Sequence, residues 1–391
     1  MSQLLNERWS ETKEALLEGL TGNRRASMGV CLENTRRSLS ESATAGSTSA
    51  GNIATLNRVI LPVIRRVMPT VIANEIIGVQ PMTGPVGQIH TLRVRYADGV
   101  ASGDTVTAGE EALSPFKIAS AYSGDNVSKA AATSTLEGTP GKRMSIQILK
   151  TPVEAKSRKL SARWTFEAAQ DAQAQQGIDI EAEIMAALAQ EITAEIDQEI
   201  LASLRSLASL EETYDQALVS GTATFVGDEH AALAIQINRV SNLIAQRTRR
   251  GAGNWAVVSN QALTILQSAT TSAFARTTEG TFEAPTNTKF VGTLNGAMRI
   301  YVDAYMSDST DANQVLVGYK GTSEADAAAF YCPYIPLMSS GVVLDPATFE
   351  PVVGFLTRYG YVELSNTASS LGNAADYLGR VAITSANVSF K

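Results

Sequence analysis

Histidine and cysteine are nearly absent from this chain of 391 residues, with two of each. A metal centre or a histidine-based acid–base set therefore has little to draw on. His90 lies in a strand-like stretch and His230 opens a helical one, and no cysteine or second histidine stands at ligand spacing. Cys31 and Cys332 lie far apart, so no disulfide framework is available, and buried thiols in a reducing compartment are expected. Aromatic residues are few, at 6%. Basic residues are not in excess: the formal net charge is −7, which argues against DNA as a ligand whose phosphates the protein neutralises. No apolar run reaches membrane-spanning length. The N-terminus, MSQLLNERWSETKE, lacks the apolar region of a signal peptide.

The signatures of catalysis are missing too. There is no G-x-S-x-G elbow. The segment from Gly138 to Arg143 lacks the first glycine and the Ser/Thr of a phosphate loop, so it reads as a turn. Glu110–Glu111 and Glu211–Glu212 are sequence neighbours, which points their side chains apart. No cofactor and no metal are expected.

What the chain does have is one very long helical stretch, from Ile178 to about Leu210. Large apolar residues recur every four positions: Ile180, Ile184, Leu188, Ile192, Ile196, Ile200 and Leu204. Between them stand good helix formers and no proline. Asp179 sits where an N-cap or first-turn acid belongs. A spacing of four overshoots the helical repeat, so the seam winds round the helix, and Met185, Leu201 and Leu207 widen it. The helix reads as a strut crossed by different elements at its two ends. Beside the seam run Glu191, Glu195 and Glu199. Charge runs usually form a solvated face; the sharper alternative is a stripe that meets basic residues of another subunit.

Residues 1–41 resemble an appendage. Leu5, Trp9, Leu16 and Leu20 fall near one helical face, and a second short amphipathic segment turns Met28, Cys31, Leu32, Thr35 and Leu39 inward and Arg24, Arg25, Arg36 and Arg37 outward. A Ser/Thr/Ala/Gly linker follows at 42–52. Short helices stopped near Pro62 and Pro69 are expected from Ile53 to Val79. A strand with His90, Leu92, Val94 and Tyr96 on one face and Thr91, Arg93 and Arg95 on the other comes next. Residues 97–143 are too poor in large apolar residues to form a core. Strand character returns at Met144–Phe166. Two strands flanking a long polar excursion suggest an extended hairpin arm, since a structureless loop of that length is improbable inside a compact domain. Arg93, Arg95, Lys156, Arg158, Lys159 and Arg163 cluster at its base. Residues 225–339 read as an α/β unit: a helix through Leu233 and Ile244 with Gly251 at its C-cap, a buried strand at Trp255–Ser259, a short helix capped by Asn260, and strands at 298–305, 315–319 and 330–334. Alternating segments at 352–363 and 380–390 close the fold.

The most specific stretch is PVIRRVMPTVIANEIIGVQPMTGPVGQIHTLRVRY, residues 62–96. It resembles the major capsid proteins of T4-like contractile-tailed bacteriophages. The resemblance continues through TPVEAKSRKLSARWTFEAAQDAQAQQGIDIEAEI, NWAVVSNQALTIL and YCPYIPLMSSGVVLDPATFEPVVGFLTRYGYVE, and covers roughly residues 53–391. It implies an α+β fold of the HK97-like type. The chain then divides into an N-terminal arm and linker (1–52), a first part of the peripheral (P) domain (53–88), an E-loop hairpin and its base (89–166), the P domain with its spine helix (167–224), an axial (A) domain (225–339), and strands returning to the P domain (340–391). The resemblance implies that an N-terminal propeptide is commonly removed after a Leu/Ile-x-Glu pattern, which Leu39-Ser40-Glu41 followed by Ser42 fits loosely; the other expectation is a retained arm that docks on a neighbouring subunit through Leu5, Trp9, Leu16 and Leu20.

The bottom-up features agree: a strut, a projecting hairpin, a tethered arm and no catalytic set describe a subunit built to touch copies of itself. The expected function is a non-enzymatic major capsid protein, self-assembling into hexamers of an icosahedral head. That head encloses double-stranded DNA without sequence-specific binding, in a virion assembled in the host bacterial cytoplasm. Expected partners are other copies and vertex, portal and decoration proteins, with no membrane. A pentameric vertex protein of the same family, a nanocompartment shell and an oligomeric α/β enzyme are the alternatives. Candidate inter-subunit residues are Leu5, Trp9, Leu16 and Leu20 in the arm, Arg93, Arg95, Arg158 and Arg163 at the hairpin base, and Glu191, Glu195 and Glu199 on the long helix, which would face those arginines across a subunit boundary.

Overall fold

The computed structural model describes residues 9–34 and 71–388 with interruptions. Residues 1–8, 35–70, 101–105, 113–121, 125–129, 220–225, 277–288, 307–312 and 365–373 are the stretches of five or more residues outside the description. Leu5, the linker, the segment 53–70 and the Leu39-Ser40-Glu41 sequence therefore lie outside the described residues.

The architecture is α+β. In chain order it comprises helix α1 (residues 25–34), α2 (Ala73–Ile76), β1 (Gly78–Val79), β2 (Val86–Tyr96), α3 (Thr133–Leu136), β3 (Met144–Glu154), β4 (Lys156–Arg163), α4 (Phe166–Gln176) and α5 (Ile180–Leu207). There follow β5 (Ser209–Tyr214), α6 (Gln216–Val219), α7 (Val226–Thr248), β6 (Trp255–Val258), α8 (Asn260–Ser268), β7 (Phe274–Arg276), β8 (Lys289–Leu294) and β9 (Met298–Val302). Strands β10 (Gln314–Gly318), β11 (Ala329–Leu344), β12 (Pro351–Glu363) and β13 (Leu378–Ile383) complete the chain. Two compact units result: residues 1–87, 152–201 and 330–362 form the first, and residues 88–151, 202–329 and 363–391 the second.

The first unit contains a four-stranded sheet in the order β1-β11-β12-β4. Strand β1 runs parallel to β11, with Gly78 and Val79 opposite Phe330 and Tyr331. Strand β12 runs antiparallel to β4, from Val352 opposite Arg163 to Tyr359 opposite Lys156. The long helix α5 supplies its apolar seam: Ile192, Ile196 and Ile200 are each 1% exposed. Asp179 behaves as expected, its carboxylate accepting the Glu181 N–H at 3.1 Å. Buried Asp197, one residue beyond Ile196, accepts the Ile72 N–H at 2.9 Å and so satisfies a donor at the start of α2.

The second unit is built on a seven-stranded mixed sheet in the order β5-β13-β10-β6-β9-β8-β7. Helix α7 buries Leu233, Ile237, Val240 and Ile244 among the core residues of this unit, with Val257 and Ile300 at 0% exposure. Three sequence expectations change here. Ser259, not Asn260, caps α8: its Oγ accepts the Ala262 N–H at 3.1 Å. Gly251 is not a left-handed C-cap; a Cβ there would meet the Tyr319 ring at 2.6 Å, so the constraint is close packing. The segments also redistribute. Strand β13 joins this sheet between β5 and β10, whereas β11 leaves it for the other sheet, because from Ala329 onward that strand pairs with β1 and β12.

The polar excursion holds a core after all. Tyr96, Val100, Val106, Ala112 and Tyr122 form a buried cluster with Val94 against it. The Tyr96 and Tyr122 rings lie 4.5 Å apart. Five small or aromatic residues spread over some thirty positions leave no periodic signal, which is why the sequence reads as coreless. The strand flanking the excursion and pairing with β2 is β3; β4 pairs with β12 instead.

Candidate assembly surfaces

A connected polar cluster of the first unit centres on Arg158. Strand β4 alternates, so Arg158, Leu160 and Ala162 are half-buried while Lys159 and Ser161 are exposed. From there the guanidinium donates to Glu195 at 2.6 Å and to Glu199 at 2.6 Å, one helical turn apart on α5. Its Nε donates to Tyr359 Oη at 2.6 Å, and that hydroxyl donates in turn to Glu199. Partial burial raises the Glu199 pKa, but the hydrogen bonds from Tyr359 and Arg158 outweigh it and hold the carboxyl below its usual range. Burial and the bond to Glu199 push the Tyr359 hydroxyl up.

The chemistry expected of these residues is present, but within one chain. Glu195 and Glu199 meet Arg158 of their own subunit, because β4 and α5 belong to the same compact unit. Arg163 lies 3.9 Å from Glu350 of the same chain. Arg95, expected to face outward, is only 8% exposed, since the excursion folds over the end of β2 that carries it. The Arg93 side chain lies outside the described residues, and Glu191 is exposed. Tyr359, the hub of the cluster, carried no sequence signal beyond strand alternation.

The N-terminal segment docks onto its own unit. On α1, Met28, Cys31 and Leu32 are at most 2% exposed, and the inward face matches the amphipathic reading. Asn34 Nδ2 donates to the carbonyls of Met82 at 2.7 Å and Tyr334 at 3.1 Å. Trp9 Nε1 donates to Glu33 at 3.1 Å, so one of the residues expected on a neighbour is engaged in its own arm. Leu16 and Leu20 are half-buried, and Leu17 between them is buried. Burial pushes the thiols of Cys31 and Cys332 up to about 12, and both are buried and outside any disulfide.

In the second unit several charged residues pair within the chain. Asp303, fully buried, pairs with Arg205 at 2.5 Å, and Arg247 and Arg239 pair with Glu211 and Glu212. Asp98 accepts the Arg143 N–H at 2.8 Å and faces its guanidinium at 3.4 Å; these bonds lower its pKa. Lys142 lies 5.8 Å from the centre of the Tyr122 ring. Gly138 and Gly141 are at positive φ, and Lys142 and Arg143 bind back onto the excursion through Tyr122 and Asp98. His230 is 1% exposed with Nδ1 2.5 Å from Ser268 Oγ. Among the described residues no group of three His, Cys, Asp or Glu could hold a metal ion, and no helix is long and apolar enough to cross a membrane.

One element stands apart. Among the described residues, strands β2 and β3 form a two-stranded sheet of their own. On β3, Met144, Ile146 and Ile148 alternate on one face and are 55%, 68% and 59% exposed. Isolated two-stranded ribbons are marginal in water, and a contiguous exposed apolar strip marks an interaction surface.

Residues 53–383 match the family described as major capsid protein Gp23. The major capsid protein of Vibrio phage KVP40 is 29% identical, with 85% of this chain and 81% of that protein covered. That of Enterobacteria phage T4 is 30% identical, with 81% and 76% covered. Among solved structures, the mature capsid of bacteriophage PhiM1 has a TM-score of 0.45 at 13% identity, covering 78% of this chain and 83% of that one. The capsid of Myoviridae phage XM1 has a TM-score of 0.43 at 11% identity, covering 78% and 89%. The chain belongs to the Gp23 family of phage major capsid proteins, structural and non-enzymatic components of the virion shell.

Proposed function

We propose that this chain assembles into hexameric capsomers that tile an icosahedral head around double-stranded DNA, with the HK97-like division of labour among arm, hairpin, P domain and A domain. The observation that carries the reading is the β2–β3 ribbon. Its Met144, Ile146 and Ile148 strip is more than half exposed, and in this reading a neighbouring copy covers it. The ion pairs within the chain, such as those of Arg158 with Glu195 and Glu199 and of Arg205 with Asp303, fit the same role: they stiffen the subunit and leave apolar strand surface for association. Contacts of one face with a different face of the next copy close rings, and rings sharing edges close a shell. The net charge of −7 suits a container that holds DNA without gripping its phosphates. The arm is retained on its own subunit in this reading. Vertex, portal and decoration proteins are the further partners.

Electron microscopy of the purified, assembled product tests the proposal. Closed shells with six-fold capsomers are expected. Pentamers alone would assign the chain to the vertex, and a small discrete oligomer would overturn the shell reading.

A further inference from the structure

The outermost strands of the two larger sheets are guarded in different ways. An outer strand offers a row of backbone donors and acceptors on which a strand of another molecule can add. In the four-stranded sheet β1 is two residues long, and β4 carries Lys156, Arg158, Lys159 and Arg163 with no acid. Shortness and positive charge both discourage strand addition. In the seven-stranded sheet β7 is three residues long. Strand β5, at the other side of that sheet, has neither defence. It spans six residues, contains no lysine or arginine, and leaves Leu210 51% exposed.

The guard on β5 is built from other parts. Strand β5 runs parallel to β13, with Leu210 opposite Arg380 but Glu212 opposite the next residue, Val381. Glu211 is therefore the extra residue of a bulge, a feature rare in parallel pairs that bends and twists the strand. The Tyr214 carbonyl accepts the Thr384 N–H at 2.9 Å, which aims it toward β13. Successive carbonyls of a strand alternate in direction, so that of Thr213 points to the open side. There the Gln236 side chain of α7 donates to it, Nε2 to O, at 3.3 Å. Two ion pairs hold the bulge to the same helix: Arg247 with Glu211 at 2.5 Å and Arg239 with Glu212 at 3.0 Å.

We infer that these contacts form an autoinhibitory lock, which keeps the open edge of β5 from accepting the same edge of a second copy. Antiparallel pairing of β5 with β5 needs a regular run of donors and acceptors. The bulge breaks that run, and Gln236 occupies an acceptor within it. A shell protein meets its own copies at high concentration, where an unguarded edge competes with ordered assembly. The lock is independent of which surfaces join the copies.

The test is a full-length chain with Glu211 deleted and Gln236→Ala introduced. The deletion lets Leu210 and Glu212 face Arg380 and Val381 without interruption, and the substitution frees the Thr213 carbonyl. Several-fold more sedimentable, thioflavin-positive protein is expected than from the unsubstituted chain. Thr213→Lys in the same background, which restores a charged edge, should reverse the increase. If the deletion does not fold, Gln236→Ala alone, with and without Thr213→Lys, carries the same comparison with a smaller increase. Gly318→Ala controls for lost stability, because it disturbs Trp255 and leaves β5 untouched. Sediment no greater than that of Gly318→Ala, or no reversal by Thr213→Lys, would overturn the lock.

Discussion

Arg158 and Glu199 stand 41 positions apart in the chain, and the guanidinium meets the carboxylate at 2.6 Å. With Glu195 and Tyr359 they tie a sheet strand to the long helix inside one subunit. All three charged groups are a third to a half exposed, so the contact contributes modestly. Arg158→Ala should destabilise the chain by about 1 kcal/mol, the upper range for solvent-screened pairs. Thermal melts at low and high salt check this, the difference from the unsubstituted chain shrinking as salt rises.

The same cluster sets a pH dependence. Glu199 has a folded pKa below its unfolded value. Its stabilisation is therefore complete above the ordinary carboxylate range and is lost as pH falls through the lowered folded value. Melting temperatures of the unsubstituted chain and Glu199→Gln should differ at pH 7 and converge in strong acid. A constant offset down to pH 2 would show that the carboxylate charge is not the source.

Asp303 and Arg205 form a different kind of pair, with the acid fully buried and the arginine side chain 14% exposed. Asp303→Asn leaves a largely desolvated cation without its counter-charge, at a cost of about 3–5 kcal/mol. The double variant Arg205→Met/Asp303→Asn should recover part of that loss. Chemical denaturation of the three chains measures the difference.

Asn34→Ala should cost about 1–3 kcal/mol, because two carbonyls, that of Met82 in a buried bond and that of Tyr334 in a part-buried one, lose their donor. Loosening should be local, so limited proteolysis followed by mass analysis should show faster cleavage within the first 40 or so residues than elsewhere. Uniform acceleration along the chain would place the effect in global stability instead.

Gly318→Ala tests packing. Gly318 on β10 is in register with Trp255 on β6, and a Cβ at 318 would lie 2.1 Å from the indole. The ring, 2% exposed, must shift, at a cost of about 1–3 kcal/mol. A change in the tryptophan emission of the folded state should accompany the lowered denaturation midpoint.

Elements with periodic burial were legible in the sequence. The four-residue repeat from Ile180 to Leu204 gave α5 to within three residues at each end, and the inward face of α1 was readable from Met28, Cys31 and Leu32. Of the arginines at the hairpin base, Arg158 meets two glutamates of the long helix, Glu195 and Glu199, within its own chain. What could not be read was whether they meet within a chain or across chains, because charge pattern carries no information about which copy supplies a partner. Sheet membership was equally hidden. Strands β11 and β13 both alternate or run apolar as strands must, and nothing local says that one joins the first unit and the other the second. Tyr359 and Asn34 escaped notice because single polar residues acquire their roles only when distant segments close around them.

Both native thiols are buried, and their raised pKa leaves almost no thiolate at neutral pH. Since the thiolate is the nucleophile, the folded chain is chemically silent toward maleimides and related electrophiles. Any cysteine placed at an exposed position becomes a single addressable handle, so fluorophores, spin labels or heavy atoms can be installed at one chosen point per subunit without first removing the residues nature put there.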